Sequence, residues 1–379
     1  MGNLRNRVCR MVSTLLAAAA CTLTGGVAQA GDINFGKVGE PVKLVVGYQP
    51  YYTESWSGVV MRGKKFYEKY LPKGSKVDFA VGLQGAVVVN AMLAGKQHIG
   101  YVGDMPGIVS TTKQQVADIR IVAALGLGKD QCNIFLARKD APNFASSKEA
   151  LKWLNGKNVA VPKGSCTDRF AQETFKKESI TPGAYLNQNI EVITSGFRAG
   201  KLDAAVVWEP TASRLVQEGL AKRVASGTTV DESDGGFLTM REDLIRTRPD
   251  VVKAWLNAEL DAQLFLADPA NAQEIARMAM EQTTGFTERA LWSSMFLRYP
   301  DSAGGVDQRL LLPFTITPEV QALITDATAF LFAIKSINVD KLRPEAVMPE
   351  FTQAVLKERG LTSPIGAVKA LPESAYKGN

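Results

Sequence analysis

The feature that most constrains the fold is an alternation of short β-branched runs with longer amphipathic stretches, which begins at Val42. This alternation is typical of a parallel sheet covered by helices. The first series predicts strands at 43–47, 76–81, 98–102 and 119–124. Helices fit between them, for example at 58–70 and at 85–94, where Gly95 follows as a C-terminal cap.

The same plan is repeated after residue 132. The elements predicted there are strands at 133–138, 158–161, 190–193, 204–208 and 236–240, with helices at 147–154 and 167–178. After Met240 the pattern becomes helical, with periodic segments at 249–266, 270–283, 287–296 and 318–333. No run of comparable strand quality follows Met240, so we expect a helical tail.

The two series predict an α/β protein with two lobes. Residues 31–132 together with 240–379 form lobe 1, and residues 133–239 form lobe 2. The chain then crosses between the lobes twice, which makes a double crossover hinge. Open parallel sheets bind ligands at the carboxyl ends of their strands, so the facing lobes are expected to form a cleft lined by strand-to-helix loops.

Residues 1–30 have the three parts of a secretory signal peptide. These are a basic start at 5–10, an apolar stretch at 11–23 and the small-residue exit Ala28-Gln29-Ala30. The apolar stretch is shorter than the ~20 residues that cross a bilayer, so cleavage after Ala30 and a periplasmic mature protein are predicted. Alternatively, Cys21 is acylated as in a lipoprotein, although Ala18 occupies the place of a larger aliphatic residue.

Composition and motifs exclude several classes of function. With 46% apolar residues the chain is too hydrophobic to be disordered, and it has no dense Lys/Arg run for nucleic acid. Its one histidine, His98, begins a predicted strand and is expected to be structural. No Gly-x-Ser-x-Gly elbow or Gly-Lys-Ser/Thr phosphate loop occurs. The start of a dinucleotide motif at Gly126-Leu127-Gly128 has Gln131 in place of the third glycine, so this segment is predicted to be a turn. We therefore predict no catalytic residues, no cofactor and no metal.

Cysteine usage agrees with export. Cys9 and Cys21 leave with the signal peptide, so Cys132 and Cys166 are the two cysteines of the mature chain. A disulfide between them is predicted. The alternative is two separate buried thiols that behave as small apolar residues.

The residues that follow the predicted strands are the candidates for ligand binding. Gly164-Ser165-Cys166-Thr167 leads into a helix, whose free N–H groups form an anion-binding site, although Ser165 or Thr167 could simply be the helix N-cap. Arg169, one turn later, could pair with the anion or be a solvated helix charge.

Aromatic and acidic side chains occupy other strand ends. Tyr48, Tyr51, Tyr52 and Trp56 could clasp an apolar or planar ligand together with Trp208, which could instead pack inside lobe 2. Asp104 and Glu209 could each receive an amine or hydroxyl of the ligand, or could cap the helices that follow them.

Several segments, in this order, resemble the nitrate/taurine/aliphatic-sulfonate family of ABC-transporter periplasmic solute-binding proteins. The resemblance covers about residues 42–240. The matching segments are Tyr48-Gln49-Pro50, 91–100, Gly103-Asp104-Met105-Pro106, Arg138-Lys139-Asp140, 154–165 and 197–210. The resemblance implies a type II periplasmic-binding-protein fold, closure around a small organic anion and delivery to an ABC permease in the inner membrane. It also implies cleft positions for Gln49, Asp104, Met105, Ser165, Cys166, Thr167, Trp208 and Glu209.

Two departures from the family pattern widen the expected ligand class. The 51–56 segment is unusually aromatic and includes Glu54, and Cys166 can be tied to Cys132 beside the site. An aryl sulfonate or aromatic carboxylate is therefore expected alongside taurine, alkyl sulfonates and nitrate. The alternatives are an enzyme resembling thiamine-pyrimidine synthases and a ligand sensor on the same fold. The protein is predicted to be a monomer.

Overall fold

The computed structural model describes residues 32–378, and within that range the chain forms two separate β-sheets flanked by helices. The first sheet contains β1 (Lys43–Tyr48), β2 (Lys76–Val81), β3 (Ile99–Gly103), β4 (Ile119–Gly128), β10 (Asp234–Arg241), β11 (Gln308–Leu312) and β12 (Gly366–Lys369). The second contains β5 (Ile134–Arg138), β6 (Asn158–Val161), β7 (Ala184–Asn187), β8 (Ala204–Val207) and β9 (Ala221–Ser226). The predicted two-lobed α/β class is confirmed.

Each sheet has parallel strands on one side and antiparallel strands on the other. In the first sheet β1 pairs in parallel with β2 and β3, whereas β10 is antiparallel to both β3 and β4. In the second sheet β6 is parallel to β7 and β8, whereas β5 is antiparallel to β8 and β9. The chain crosses between the sheets at 129–133 and returns at 227–233. The strand predicted at 236–240 is therefore part of β10, in the first sheet.

The helices cover the faces of both sheets. They are α1 (Ser57–Lys64), α2 (Gly85–Leu93), α3 (Asp104–Thr111), α4 (Ser147–Trp153), α5 (Cys166–Lys177), α6 (Ile190–Arg198), α7 (Thr211–Gln217), α8 (Gly227–Val230), α9 (Glu242–Thr247), α10 (Pro249–Ala267), α11 (Ala272–Gln282), α12 (Glu288–Phe296), α13 (Pro318–Ala333) and α14 (Glu350–Arg359). In the stretch from 32 to 378, no helix combines the length and apolar character that a membrane span requires.

One predicted strand is wrong, because residues 190–193 begin helix α6. The Asn189 side chain accepts a hydrogen bond from the Val192 N–H at 2.9 Å and so caps the helix. Ile190, Ile193 and Phe197 are buried at helical spacing, and the strand of this unit, β7, lies just before them. The β-branched run at 190–193 suggested a strand, but the cap and the helical periodicity determine the structure.

Three further predictions need correction. The helix expected at 58–70 ends at Lys64, because Lys65 has a left-handed backbone with φ of 55°. The glycines at 126 and 128 lie at the paired end of β4 rather than in a turn. The region after Met240 is not purely helical, since β11 and β12 extend the first sheet beyond β4.

Candidate functional site

A cavity of about 330 Å³ lies between the two lobes, at the ends of several strands. The first lobe contributes residues that follow β1, β2 and β3, namely Gln49, Tyr52, Gln84, Gly85, Ala86, Val89, Asn90, Gly103, Pro106 and Val109. The second lobe contributes Pro162, Lys163, Gly164, Ser165, Cys166 and Trp208, and Ser336 follows α13. The cavity thus occupies the place where doubly wound sheets bind ligands.

Two helices from opposite lobes begin at this cavity. Gln84 precedes α2 and Ser165 precedes α5, and neither side chain caps its helix. The Ser165 hydroxyl instead donates to the Pro162 carbonyl at 2.6 Å and lies 2.7 Å from the Thr167 hydroxyl. Helix N-termini carry a partial positive charge and amide donors, so the two helices together favour an anionic group between the lobes.

Trp208 and Tyr52 provide the aromatic surface of the cavity. The Trp208 side chain comes from the second lobe, and its indole N–H donates to the Tyr51 carbonyl of the first lobe at 3.1 Å. Trp208 is 8% exposed, which leaves part of its ring accessible within the cavity. The Tyr52 hydroxyl donates to the Glu54 carboxylate and, at 3.2 Å, to the Gly235 carbonyl. Both side chains are therefore held at the cavity wall by hydrogen bonds.

The Cys132–Cys166 disulfide links the first crossing segment to the first residue of α5. The two Cα atoms are 6.3 Å apart, and the prediction of a disulfide is confirmed. Since Cys166 also lines the cavity, the bridge fixes the N-terminus of α5 beside the ligand space. Asp234 has a carboxylate oxygen close to both sulfur atoms, but cysteines joined in a disulfide are not metal ligands.

An ion pair behind the cavity joins the lobes. Arg169 of α5 lies with Nη2 3.3 Å from the Asp104 carboxylate and donates to the Ser233 carbonyl at 2.7 Å. Arg169 is only 5% exposed, so it is neither a solvated helix charge nor one of the residues that line the cavity. Its guanidinium instead neutralises a buried carboxylate of the opposite lobe.

Two further carboxylates, Glu54 and Asp234, are buried beside this pair. Burial raises the pKa of each well above its usual range; repulsion from Asp234 raises the pKa of Glu54 further, and repulsion from Asp104 raises the pKa of Asp234 further. Both Asp234 oxygens and one Glu54 oxygen have no hydrogen-bond partner. Burial therefore favours the neutral, protonated form of both groups.

Of the predicted binding residues, Gln49, Tyr52, Ser165, Cys166 and Trp208 line the cavity, and three other predicted aromatic side chains lie elsewhere. Tyr48 is fully buried, with its ring 5.5 Å from that of Phe79. Trp56 is also buried and donates to the Pro50 carbonyl at 3.0 Å. The Tyr51 ring lies 5.8 Å from the Phe286 ring.

The remaining predicted residues lie behind the cavity wall. Met105 and Thr167 are fully buried, and Asp104 pairs with Arg169 as described. Glu209 accepts hydrogen bonds from the Ser213 N–H and hydroxyl, both at 2.9 Å, and from Arg223 at 3.3 Å. The Glu209 carboxylate is therefore bonded inside the protein and does not line the cavity. His98 likewise has a structural role, because its Nδ1 accepts the Val45 N–H at 3.1 Å.

Sequence reasoning missed helix α2 and the loop before it as parts of the cavity wall. Gln84 and Asn90 line the cavity, and the loop that contains Gln84 follows β2 just as the other candidate loops follow their strands. The strand-end rule could therefore have identified it. Ser336 lies after a long helix of the tail, where no local pattern indicates a ligand site.

The fold and this cleft define a two-lobed solute-binding protein of the periplasmic type. The chain belongs to the NMT1-like family, whose model matches residues 37–280. It is 26% identical to the taurine-binding periplasmic protein of Escherichia coli (strain K12) over 253 residues, which make up 63% of this chain and 74% of that protein.

Solved structures share the fold at lower identity. The alkanesulfonate-binding protein SsuA from Xanthomonas axonopodis pv. citri, bound to MOPS, superposes with a TM-score of 0.62 at 18% identity, covering 81% of this chain and 98% of that one. The desulfurization enzyme DSZB gives a TM-score of 0.60 at 16% identity, covering 84% and 99%. The same fold therefore serves both binding proteins and an enzyme.

Proposed function

We propose that this protein is the solute-binding component of an ABC importer and that it binds a small organic anion in the cavity between its lobes. The observation that carries the proposal is the convergence of the N-termini of α2 and α5, from opposite lobes, on one cavity. The relatives described above include a taurine-binding and an alkanesulfonate-binding protein, which supports the same ligand class.

The proposed mechanism is closure about a hinge at 129–133 and 227–233. A ligand that touches Gln49 and α2 on one side and Ser165 and Trp208 on the other stabilises the closed arrangement, since an open cleft loses half of these contacts. The closed protein is then the form that the permease in the inner membrane recognises. The protein acts as a monomer and needs no covalent chemistry.

The proposed location is the periplasm. The taurine-binding relative is a periplasmic protein, and residues 1–30 carry the signal-peptide pattern, although this segment lies outside the described residues. We place cleavage after Ala30. Acylation of Cys21 remains the alternative, and it would tether the protein to a membrane without changing the cleft.

An enzyme on this fold is the second candidate, favoured by the likeness to a desulfurization enzyme. Against it, Cys166 of the cavity wall is in a disulfide and so is not a thiolate nucleophile. His98 is bonded within the first sheet rather than beside the cavity. A sensor that hands the same ligand to a membrane receptor would have the same cleft.

The test is a thermal-shift screen of the purified, oxidised protein against nitrate, taurine, alkyl and aryl sulfonates, aromatic carboxylates and thiamine precursors. A ligand at 100 times its Kd should add ~2.7 kcal/mol to the free energy of unfolding. We expect a saturable shift from an organic anion, with the anion recovered unchanged. No shift from any anion, or chemical conversion of the bound compound, would contradict the proposal.

A further inference from the structure

The cavity wall carries no acidic side chain among the residues from 32 to 378. The nearby carboxylates are all buried behind the cavity wall. Asp104 is paired with Arg169, and Glu54 accepts the Tyr52 hydroxyl. A ligand ammonium group in this cavity would therefore lose its hydration without gaining a carboxylate partner.

Lys163 is the one lining residue with a formal charge, and it is a cation. Its ammonium lies 5.1 Å from the centre of the Tyr185 ring, on the solvent-exposed side of the loop. Together with the partial positive charges at the N-termini of α2 and α5, its charge favours an anionic head group in the cavity. The same charges disfavour a second, cationic group on the ligand.

The apolar part of the lining fits an uncharged ligand body. Trp208 and Tyr52 supply aromatic faces, and Val89, Pro106 and Val109 supply aliphatic surface. At about 330 Å³, the cavity lies at the lower end of the range of roughly 300 to 1,000 Å³ that holds drug-sized ligands. Nitrate or a two-carbon solute would leave much of this apolar surface without contact.

We infer that the site selects monoanions with an uncharged aromatic body, such as aryl sulfonates, and discriminates against zwitterions such as taurine. The inference rests on the proposed function and narrows its ligand class. It differs from the specificity in the name of the taurine-binding relative, and it follows from the absence of a carboxylate in the described cavity wall.

Calorimetric titration of the purified, oxidised protein with three sulfonates tests the inference. Ethanesulfonate and taurine differ only by the ammonium group, and benzenesulfonate replaces the ethyl group by a ring. We expect benzenesulfonate to bind at least tenfold more tightly than ethanesulfonate, and taurine at least tenfold more weakly than ethanesulfonate. Taurine binding as tightly as ethanesulfonate would overturn the inference and leave the proposed function standing. Failure of all three sulfonates to bind would count against both.

A charge added to the wall provides a second test. Asn90 lies on α2, lines the cavity and is exposed, so a substitution there should be tolerated by the fold. Asn90→Asp should weaken benzenesulfonate binding at least tenfold and shift the ratio of taurine to ethanesulfonate affinity at least tenfold toward taurine. Asn90→Ala removes the amide without adding charge and should leave that ratio within threefold of the original. An unchanged ratio in a folded Asn90→Asp protein would overturn the inference.

Discussion

The guanidinium of Arg169 in the second lobe lies 3.3 Å from the carboxylate of Asp104 in the first, and both side chains are almost completely buried. Arg169 is on α5, whose first residues line the cavity, and Asp104 begins α3 of the first lobe. A ligand that draws α5 toward the first lobe also brings this pair together. We therefore expect the pair to contribute to closure without contacting the ligand.

The first prediction concerns this pair. Arg169→Met leaves Asp104 buried without its cation, and we expect it to lower the free energy of unfolding by about 3 to 5 kcal/mol. Asp104→Asn in the same background should recover part of the loss, because no unpaired charge then remains. Urea unfolding of the two single variants and the double variant measures the coupling, expected at about 1 to 3 kcal/mol. Strictly additive effects would show that the pair is not coupled.

The second prediction concerns Trp208. Trp208→Ala should abolish ligand-induced stabilisation while the protein stays folded, because it removes a large part of the aromatic surface of the cavity and the hydrogen bond to Tyr51. Trp153 is the matched control, since it packs on Phe144 in the second lobe and does not line the cavity. Thermal shifts with and without benzenesulfonate compare the two variants. An undiminished ligand shift in Trp208→Ala would assign Trp208 to packing alone.

The third prediction concerns Glu259 in the core of the first lobe. Burial raises the pKa of Glu259 to about 7, although hydrogen bonds from Tyr101 at 2.7 Å and Gln263 at 2.9 Å oppose the shift. Between about pH 4.5 and 7 the folded protein keeps a proton that the unfolded chain releases, so stability falls as pH rises through this window. The loss from this one group is up to about 3 kcal/mol, and it is complete above the folded pKa.

Glu259→Gln tests this dependence, because glutamine keeps the shape and does not titrate. The variant should lose less stability than the original between pH 5 and pH 7.5 in urea unfolding. Glu358→Gln, at a 51% exposed glutamate in a surface pair with Lys253, is the control and should leave the pH profile unchanged. Parallel pH profiles for the original protein and Glu259→Gln would refute the assignment.

The fourth prediction concerns the disulfide. Its cysteines are 34 residues apart, and the loop-entropy relation gives a stabilisation of about 4 kcal/mol for a bridge of that span. Replacement of both cysteines by serine should lower the free energy of unfolding by that order. It should also weaken ligand binding, because the N-terminus of α5 is no longer anchored to the crossing segment. Calorimetry on the double variant measures the affinity for the ligand. An unchanged affinity would show that the disulfide stabilises the fold without contributing to binding.

The sequence predicted the two-lobed plan and part of the site, and the reasons for the failures are physical. The strand-end rule located Gln49, Ser165 and Trp208 because a strand is visible in local periodicity. The rule failed for Tyr48, the last residue of β1, because side chains alternate between the two faces of a sheet and that of Tyr48 packs against Phe79 instead of lining the cavity. Glu209 follows a strand as well, but its carboxylate accepts a hydrogen bond from Arg223, 14 residues later in the sequence.

Secondary structure was least predictable where local propensity and tertiary context disagree. The β-branched run at 190–193 is a helix because Asn189 caps it and its apolar side chains face the second sheet. The strands β11 and β12 are short and lie at the edge of the first sheet, where pairing with β4 and with each other creates them. Such pairing joins residues far apart in the sequence and leaves little local signal.

The two crossings also determine the order in which the lobes can be completed as the chain emerges during synthesis or export. The second sheet is built from the uninterrupted segment 134–226, so all of its strands are available once that segment has emerged. The first sheet needs β10, β11 and β12, of which the last ends at Lys369. The first lobe therefore remains incomplete, with β3 and β4 lacking their shared neighbour β10, while the second can already be folded. Any factor that protects the emerging chain would act mainly on β3 and β4 before β10 is available to pair with them.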